Sequence, residues 1–457
     1  MKLKKLTLAN FRGLDQIDLD FADDVTVIAG VNGVGKSGVL KALTIALSLA
    51  LPRFTVSRES PLGSNDTDVQ AGKLGLSMSV TLSLDAAKIM VDLTRSAPLA
   101  SDMAESLITR RDDLRFATRE TKKGSKEEQR INDEIRRIEI QLGQATDIAT
   151  VRVLPEDAAI DEDELVANVK GDSKQPISVF YTTSRFLSRL PPTLPKTKRT
   201  DAATAYDKAL NQLEVSLNDF ANWYRVVASE AGAATRDRLF QQLEQAIKTF
   251  LPDVYDLVLH DGRPPRFSVT KSGKRLFLEQ LSDGERGLLA LVFDLTRRLA
   301  IANPDSDNPI AEGVALVLID EIELHLHPKW QRQVVRRLRN TFGACQFVLT
   351  THSPQVIGQV QAAKLRLLTS EQGKVSVVPV AQSFGMDSSW VLQNIMGVSA
   401  RDYEIEQRLS ATYQAIDEDR LNEARCLAEQ LRVDIGDFPD LQEALALLDR
   451  FVLLGSE

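Results

Sequence analysis

A glycine-rich segment that follows an apolar run constrains the fold of this chain more than any other feature. Residues 30–37 have the sequence Gly-Val-Asn-Gly-Val-Gly-Lys-Ser, which is the G-x-x-x-x-G-K-S pattern of a P-loop. The β-branched run at 25–29 predicts a buried strand, and apolar residues from Val39 onward recur at helical spacing. The sequence therefore predicts a strand, a phosphate-binding loop and a helix, in that order.

The residue types of this loop suit ATP with Mg²⁺. Glycines let backbone N–H groups turn toward phosphates, and the following helix presents its positive N-terminus. We expect Lys36 to reach the β- and γ-phosphates and Ser37 to hold Mg²⁺. The predicted nucleotide-binding residues of the loop are Gly30, Asn32, Gly33, Gly35, Lys36 and Ser37.

Composition restricts the class of protein. With 457 residues and 43% hydrophobic residues, the chain can build two or three globular domains, which excludes disordered and fibrous classes. A net charge of −8 argues against a surface coated with nucleic acid, although a local basic groove is compatible with it. Two cysteines, Cys345 and Cys426, cannot build a disulfide framework or a four-ligand zinc site, and we expect both to be buried.

The sequence favours a cytoplasmic protein without a membrane partner. Met1–Lys5 leads into a predicted strand rather than into the apolar region of a signal peptide. The longest apolar stretch, 39–51, is too short to span a bilayer. We therefore expect a soluble chain.

A second apolar run, at 314–319, ends in two acidic residues. Such a run is typical of a buried parallel strand, and open α/β sheets bind ligands at the carboxyl ends of their strands. We expect Asp320 to hold Mg²⁺ and Glu321 to orient and deprotonate the attacking water. Alone, the run could also be a strand that merely ends in charged residues, but its pairing with the P-loop favours the catalytic interpretation.

Two further motifs complete the pattern. Leu-Ser-Asp-Gly-Glu at 281–285 precedes an apolar helical segment, so that Ser282 would cap a helix and Gly284 would let a ligand approach the backbone. A simple helix cap is the alternative. The apolar run at 347–351 predicts a strand that ends at His352, which could hydrogen-bond a γ-phosphate as a second catalytic residue.

In this order, the P-loop, the 281–285 signature, the Walker B strand at 316–321 and His352 resemble the ABC-type ATPase heads of the Rad50, SMC and RecF proteins. The resemblance implies an α/β fold, an ABC-type P-loop ATPase head. It also implies that Asn10 and Arg12, within the opening Asn-Phe-Arg, lie near the nucleotide. In those families two heads enclose ATP, which implies that Ser282, Gly284 and Glu285 of one subunit complete the site of another.

Three strings narrow the resemblance. The segments 322–332, 350–357 and 391–397 resemble the small bacterial AAA15/AAA21 ATPases, including the PtuA ATPase of Septu anti-phage systems and related retron ATPases. His325 and His327 could coordinate a metal or lie at a dimer interface, and the scarcity of other histidines favours the interface. The Rad50, SMC and RecF heads carry a glutamine-bearing loop whose place is taken here by residues 181–185, which makes Arg185 a further site candidate.

We divide the chain into six segments. Residues 103–145 predict a helical hairpin insertion with its tip at 122–125, either a solvated helix pair or a partner-binding arm. Residues 201–250 predict helices, with Leu210, Leu213, Leu217, Phe220 and Tyr224 on one face, and 255–279 a strand pair. The segments are 1–102, the N-terminal lobe with the P-loop; 103–145, the hairpin; 146–200, the rest of the lobe and a Pro-rich loop; 201–262, helical; 263–382, the C-terminal lobe with the signature, Walker B and His352; and 383–457, a helical region for oligomerisation or partner docking.

Two functions compete. The resemblance implies an ATPase, as a homodimer or higher homo-oligomer, that regulates a separate HNH-type, PtuB-like nuclease encoded nearby. The tail beyond 382 lacks apolar strands ending in spaced acids, which argues against a TOPRIM nuclease domain there.

The alternative is a RecF-like repair ATPase that binds duplex DNA directly. Its candidate DNA-binding cations could instead simply line a solvated helix face. A transporter motor is disfavoured by the Asn-Phe-Arg and Leu-His-Pro strings. The candidate DNA-binding cations are Arg286, Lys329, Arg332, Arg336, Arg337 and Arg339.

Overall fold

The computed structural model describes residues 1–73, 75–84, 87–96, 148–155, 161–198, 200–399 and 401–454, with short pieces at 109–114, 116–118, 130–132 and 134–135. The chain divides into two compact units, Met1–Gly385 and Met386–Glu457.

The described strands lie in three sheets. The first has the order β2-β1-β4-β5-β6, the second β14-β13-β3-β12-β11-β7 and the third β10-β9-β8. The strands are β1 (Lys2–Phe11), β2 (Leu14–Asp20), β3 (Val25–Ala29), β4 (Gly75–Leu84), β5 (Ala87–Ser96), β6 (Ile148–Pro155), β7 (Ile177–Tyr181), β8 (Val254–His260), β9 (Arg266–Lys271), β10 (Lys274–Phe277), β11 (Ala315–Ile319), β12 (Gln346–Thr351), β13 (Leu365–Glu371) and β14 (Lys374–Val378).

Helices connect and cover these strands. The described α-helices are α1 (Lys36–Phe54), α2 (Glu162–Gly171), α3 (Leu217–Glu230), α4 (Ala233–Phe250), α5 (Asp283–Ala302), α6 (Pro309–Glu312), α7 (Pro328–Thr341), α8 (Pro354–Ile357), α9 (Ser388–Asn394), α10 (Tyr403–Asp417), α11 (Leu421–Ile435) and α12 (Pro439–Leu454). Short 3₁₀ turns lie at Asp66–Asp68, Ala202–Ala205, Leu278–Gln280 and Ala362–Lys364.

The second sheet forms the core of the larger unit. Its strands β13, β3, β12, β11 and β7 run parallel, and only the edge strand β14 is antiparallel. Strands β3, β11 and β12 are buried at every residue, because both faces of a parallel sheet are covered. Strands β3 and β11 are almost wholly apolar, whereas β12 also buries the polar residues Gln346, Thr350 and Thr351. The predicted P-loop and Walker B strands are therefore confirmed, and their carboxyl ends lie at the same edge.

Helix α1 is longer than its apolar stretch predicts. It is the one helix of the described residues that is long and apolar enough to cross a membrane, and 72% of that apolar window is buried inside the protein. It contacts β5 and β6 of the first sheet and β7 of the second. The helix is thus packed as a core element of the larger unit.

The structure corrects the prediction for 201–216. This segment forms a 3₁₀ turn and an irregular stretch instead of a helix, and Leu213 is 75% exposed. The reason is tertiary, because the segment covers the edge strand β7: Phe180 N–H donates to Ala209 O at 2.8 Å, and Leu187 forms a bridge with Val215. The predicted helix therefore begins only at Leu217, where Ser216 caps it.

Two smaller predictions also change, and a third falls largely outside the described residues. The predicted strand pair at 255–279 is a sheet of three strands, β8 to β10. Cys345 is buried as expected, but Cys426 is exposed. Most of the hairpin predicted at 103–145 lies outside the described residues; its described pieces are helical, and Arg110 and Glu134 form an ion pair of 2.7 Å.

The smaller unit is helical, as predicted for the tail. Helices α10, α11 and α12 pack around a common apolar core, and no strand lies among its described residues. The buried residues of this core are Leu409, Ala415, Ile416, Ala424, Ala428, Leu431, Leu441, Ala444 and Leu448.

A buried charge cluster ties α5 to its neighbours. Asp294 accepts hydrogen bonds from Arg297 at 2.9 Å, Arg298 at 2.7 Å and the Tyr181 hydroxyl at 3.0 Å. Burial opposes ionisation of Asp294, but the charges of the two arginines hold its pKa well below its usual range. Arg298 also donates to Ala205 O at 2.7 Å and so fastens the irregular segment.

We expect Asp294→Ala to lower the free energy of unfolding by about 3–5 kcal/mol, because two buried guanidinium groups lose their carboxylate. Urea unfolding followed by circular dichroism measures this loss. Asp305→Ala, at an exposed position, is the matched control and should change stability by less than about 0.5 kcal/mol. Equal effects of the two variants would contradict a stabilising role for the cluster.

Candidate nucleotide-binding site

Glycines allow the loop between β3 and α1 to turn tightly. Gly30 and Gly35 have φ values of +153° and +103°, which a side chain disfavours. A Cβ at Gly30 would lie 2.5 Å from the Leu368 carbonyl oxygen, and one at Gly35 would lie 2.5 Å from Leu14 Cδ2. Helix α1 starts at Lys36 with no side-chain cap, so its first N–H groups remain available to an anion.

The Lys36 amine closes this loop from within. Its Nζ donates to Gly30 O at 2.8 Å and to Val31 O at 3.0 Å, and the side chain is buried. Burial lowers the pKa of Lys36, while nearby carboxylates oppose that effect. A phosphate in the loop would supply the full negative charge that the carbonyl groups lack. Asn32, at the tip of the loop, is exposed.

The P-loop and Walker B residues meet at one carboxylate. Asp320 Oδ1 accepts from Ser37 Oγ at 3.2 Å and from Thr350 Oγ1 at 2.5 Å. The Thr350 hydroxyl in turn accepts the Glu321 N–H at 2.8 Å. A hydroxyl and a carboxylate side by side are oxygen ligands that suit Mg²⁺, so Ser37 and Asp320 could hold it.

Arg185 does not point into the phosphate loop. Its guanidinium donates to Asp320 O and Glu321 O, each at 2.7 Å, and to Ile322 O at 3.1 Å. Burial lowers the pKa of Arg185 to about 10, against the opposing charges of nearby carboxylates. Arg185 therefore holds the backbone behind the Walker B acids.

Sequence reasoning missed Glu323. Its carboxylate is 5% exposed and accepts from Thr351 Oγ1 and from the His352 N–H, each at 2.7 Å. His352 Nδ1 lies 3.3 Å from the same carboxylate. The sequence signal was a third acidic residue soon after Asp320 and Glu321. Its position in a turn did not indicate which residues it would contact.

The signature residues form a separate group. Ser282 caps α5 and its hydroxyl donates to Glu285 Oε2 at 2.9 Å, while Lys271 pairs with Glu285 Oε1 at 2.6 Å. Burial by itself would raise the pKa of Glu285, but its bonds from Lys271 and Ser282 hold that pKa below its usual value. Gly284 packs against the His325 carbonyl. No hydrogen bond or ion pair of the described residues joins this group to residues 30–37.

Asn10 and Arg12 lie at the end of β1 in left-handed conformations, with φ values of +54° and +53°. Arg12 Nε donates to Asp68 Oδ1 at 2.8 Å, and the Asp68 side chain is fully buried. A Cβ at Gly38 would lie 3.9 Å from Arg12 Cδ. The structure thus places Arg12 beside the first turn of α1, close to the phosphate loop.

The two histidines of the Leu-His-Leu-His string have local partners. His327 caps α7, and its Nδ1 accepts the Lys329 N–H at 3.2 Å. The His325 ring lies 5.5 Å from the Phe186 ring. Within the described part of the chain, no group of three or more His, Cys, Asp or Glu side chains could hold a metal ion.

Comparisons with known proteins identify the family. A family model described as "AAA domain" matches residues 5–253, and one described as "AAA domain, putative AbiEii toxin, Type IV TA system" matches residues 197–358. The chain belongs to the AAA domain family. It is an ATPase similar to the retron ATPases and to the Septu protein PtuA, as the sequence resemblance predicted.

Two relatives and one solved structure illustrate this similarity. The Retron Ec83 probable ATPase of Escherichia coli is 27% identical over 88% of this chain and 78% of its own length. The Septu protein PtuA of Bacillus mycoides is 36% identical over 24% of this chain and 15% of its own length. The SMC head domain from Thermotoga maritima, at 15% identity and a TM-score of 0.42, covers 83% of this chain and 99% of that structure.

We expect Gly30→Ala to cost more stability than Gly33→Ala. Both positions have positive φ, but a Cβ at Gly30 meets a backbone carbonyl, whereas a Cβ at Gly33 meets nothing within 4 Å. The expected difference is about 1–3 kcal/mol, the typical cost of overpacking. Urea unfolding measures it, and a Gly33→Ala variant as unstable as Gly30→Ala would contradict the close approach at Gly30.

Proposed function

We propose that this chain binds and hydrolyses ATP with Mg²⁺ at a site shared between two copies, in the cytoplasm. The separation of the two groups of residues carries the proposal. The phosphate loop, Asp320 and His352 gather at one sheet edge, whereas Ser282 and Gly284 lie in a separate group with Glu285, His325 and Trp330. A second subunit would supply the missing signature to each loop.

The residues have distinct roles in this site. Lys36 and the loop N–H groups bind the phosphates, and Arg12 approaches them from the end of β1, beside Asn10. Ser37 and Asp320 hold Mg²⁺, which neutralises phosphate charge when bound. Glu321 takes the proton of the attacking water, and His352 donates a hydrogen bond to the γ-phosphate. Ser282, Gly284 and Glu285 of the partner close the site.

The biological role we propose is regulation of a separate nuclease in anti-phage defence. Similarity to the Retron Ec83 ATPase and to the Septu protein PtuA supports it. The helical unit offers exposed apolar side chains for a partner or a further copy: Val433 is 83% exposed and Tyr403 73% exposed. An HNH-type, PtuB-like nuclease encoded nearby is the expected partner.

Direct binding of duplex DNA, as in RecF-type repair, is less well supported. Four of the candidate cations are engaged within their own chain: Arg286 with Asp283, Arg332 with Gln355, Arg337 with Phe250 O, and Arg339 with Asp24. Lys329 and Arg336 on α7 are exposed. A salt-titrated duplex-binding assay separates the two functions, since ATP-enhanced specific binding would favour repair.

We expect Glu321→Gln to keep ATP binding and to lower kcat by about 10²–10⁴-fold, because the amide cannot accept the proton of the attacking water. The variant should accumulate as the ATP-bound oligomer. Phosphate release and light scattering in MgATP measure both effects, and Lys36→Ala, which should lose ATP binding, is the control. Undiminished turnover of Glu321→Gln would remove Glu321 from this role.

We expect Ser282→Arg to block ATP-dependent association without preventing ATP binding to the single subunit. The long cation would occupy the face that meets the partner's phosphate loop, while its own loop is untouched. Ser173→Arg, also at an exposed serine of the larger unit, is the matched control. Light scattering with and without MgATP tests this, and normal ATP-dependent association of Ser282→Arg would argue against a shared site.

A further inference from the structure

Glu323 is a buried carboxylate that none of the proposed steps uses. It lies in the turn after β11, and its two oxygens face the end of β12. Oε2 accepts the Thr351 hydroxyl and Oε1 accepts the His352 N–H, both at 2.7 Å. Burial of a carboxylate is costly unless it is hydrogen-bonded and compensated by charge. The hydrogen bonds of Glu323 offset part of this cost, and they indicate which residues it serves.

All three contacts of Glu323 converge on one residue and its neighbour. Besides the backbone N–H, the ring nitrogen Nδ1 of His352 lies 3.3 Å from Oε1. With Nδ1 beside the carboxylate, Nε2 is the ring nitrogen left for a phosphate, and it must carry a proton to donate a hydrogen bond there. The carboxylate thus bears on both the position of the His352 backbone and the orientation of its ring.

The surrounding bonds hold the same segment from other directions. Thr350 is joined to Asp320 Oδ1 at 2.5 Å, and the Ser353 hydroxyl donates to Gln331 Oε1 at 2.6 Å. Neither bond touches the imidazole. Glu323, by contrast, accepts the His352 N–H and also lies beside its ring, 3.3 Å from Nδ1.

We propose that Glu323 is a positioning residue for the ATPase reaction, which fixes the backbone and the imidazole of His352 so that Nε2 meets the γ-phosphate. This inference rests on the role proposed above for His352. It assigns Glu323 no contact with ATP, so its loss should slow the reaction while leaving nucleotide affinity intact. A purely structural role, by contrast, would affect stability and would be independent of His352.

A double-mutant cycle on the full chain distinguishes these roles. We expect Glu323→Ala and His352→Ala each to lower kcat by about 10–100-fold, with KM for ATP changed by less than about threefold. The double variant should be no slower than His352→Ala, because residues that act as a unit are not additive. Steady-state phosphate release and binding of a fluorescent ATP analogue supply these quantities.

Two further variants sharpen the test. Glu323→Gln keeps an oxygen for the His352 N–H and loses the charge, so it should recover part of the kcat lost in Glu323→Ala, and it provides the measurement should the alanine variant fail to fold. Glu312→Ala is the matched control, since that carboxylate accepts the Ser306 hydroxyl at 2.8 Å and lies away from the site. It should turn over ATP at the wild-type rate.

The outcomes separate the two proposals. Losses that multiply in the double variant, or a raised KM with unchanged kcat in Glu323→Ala, would overturn the positioning role. If His352→Ala retains full turnover, the role of His352 fails, and the inference about Glu323 fails with it. The Glu321→Gln variant tests the ATPase site independently of His352. Loss of its turnover would support the site even if the roles of His352 and Glu323 failed, and undiminished turnover would count against the site itself.

Discussion

The bond network around Asp320 Oδ1 is the interaction on which the site depends. One carboxylate oxygen accepts hydroxyl groups from Ser37, at the start of α1, and from Thr350, at the end of β12. Because β3, β12 and β11 are adjacent parallel strands, their carboxyl ends meet at one edge without any long-range adjustment of the chain. The Thr350 hydroxyl also accepts the Glu321 N–H, at a residue whose φ is +46°. The position of the acid expected to activate water is thus set by the same threonine.

Charge compensation explains why this edge tolerates three acids in four residues. Asp320, Glu321 and Glu323 face two buried cations, Lys36 and Arg185. The Arg185 guanidinium donates hydrogen bonds to three backbone carbonyl groups of the Walker B turn. Its positive charge therefore offsets the negative charge of the acids from the side of the turn that is away from the phosphate loop. Arg185 therefore does not replace a glutamine that would face the nucleotide. On the side of the phosphate loop, Lys36 and cations that bind with the nucleotide would compensate the charge of the acids.

Local sequence patterns predicted the parts of the site that are built from neighbouring residues. The P-loop, the Walker B strand and the Ser282 cap each lie within one strand, turn or helix end, where spacing determines geometry. The fold class followed from their order. The roles of Arg185 and Glu323 were not predictable in this way, since their partners lie on other elements: Arg185 binds a turn 135 residues away and Glu323 a strand end 28 residues away. The helix predicted at 201–216 was wrong for the same reason, because the unpaired edge of β7 and the guanidinium of Arg298 take the carbonyl groups that a helix would need.

The turn from Glu321 to His327 connects the two halves of the proposed shared site within one chain. Its first residue is the expected general base, and its third, Glu323, holds His352. Its fifth, His325, adopts a φ of +62° and places its carbonyl against Gly284 of the signature. This segment therefore joins the Walker B edge to the signature directly, without passing along α5. In the proposed pair of subunits it would connect the residues that bind one ATP to the residues that close over the other, which would provide a physical route by which both sites change together.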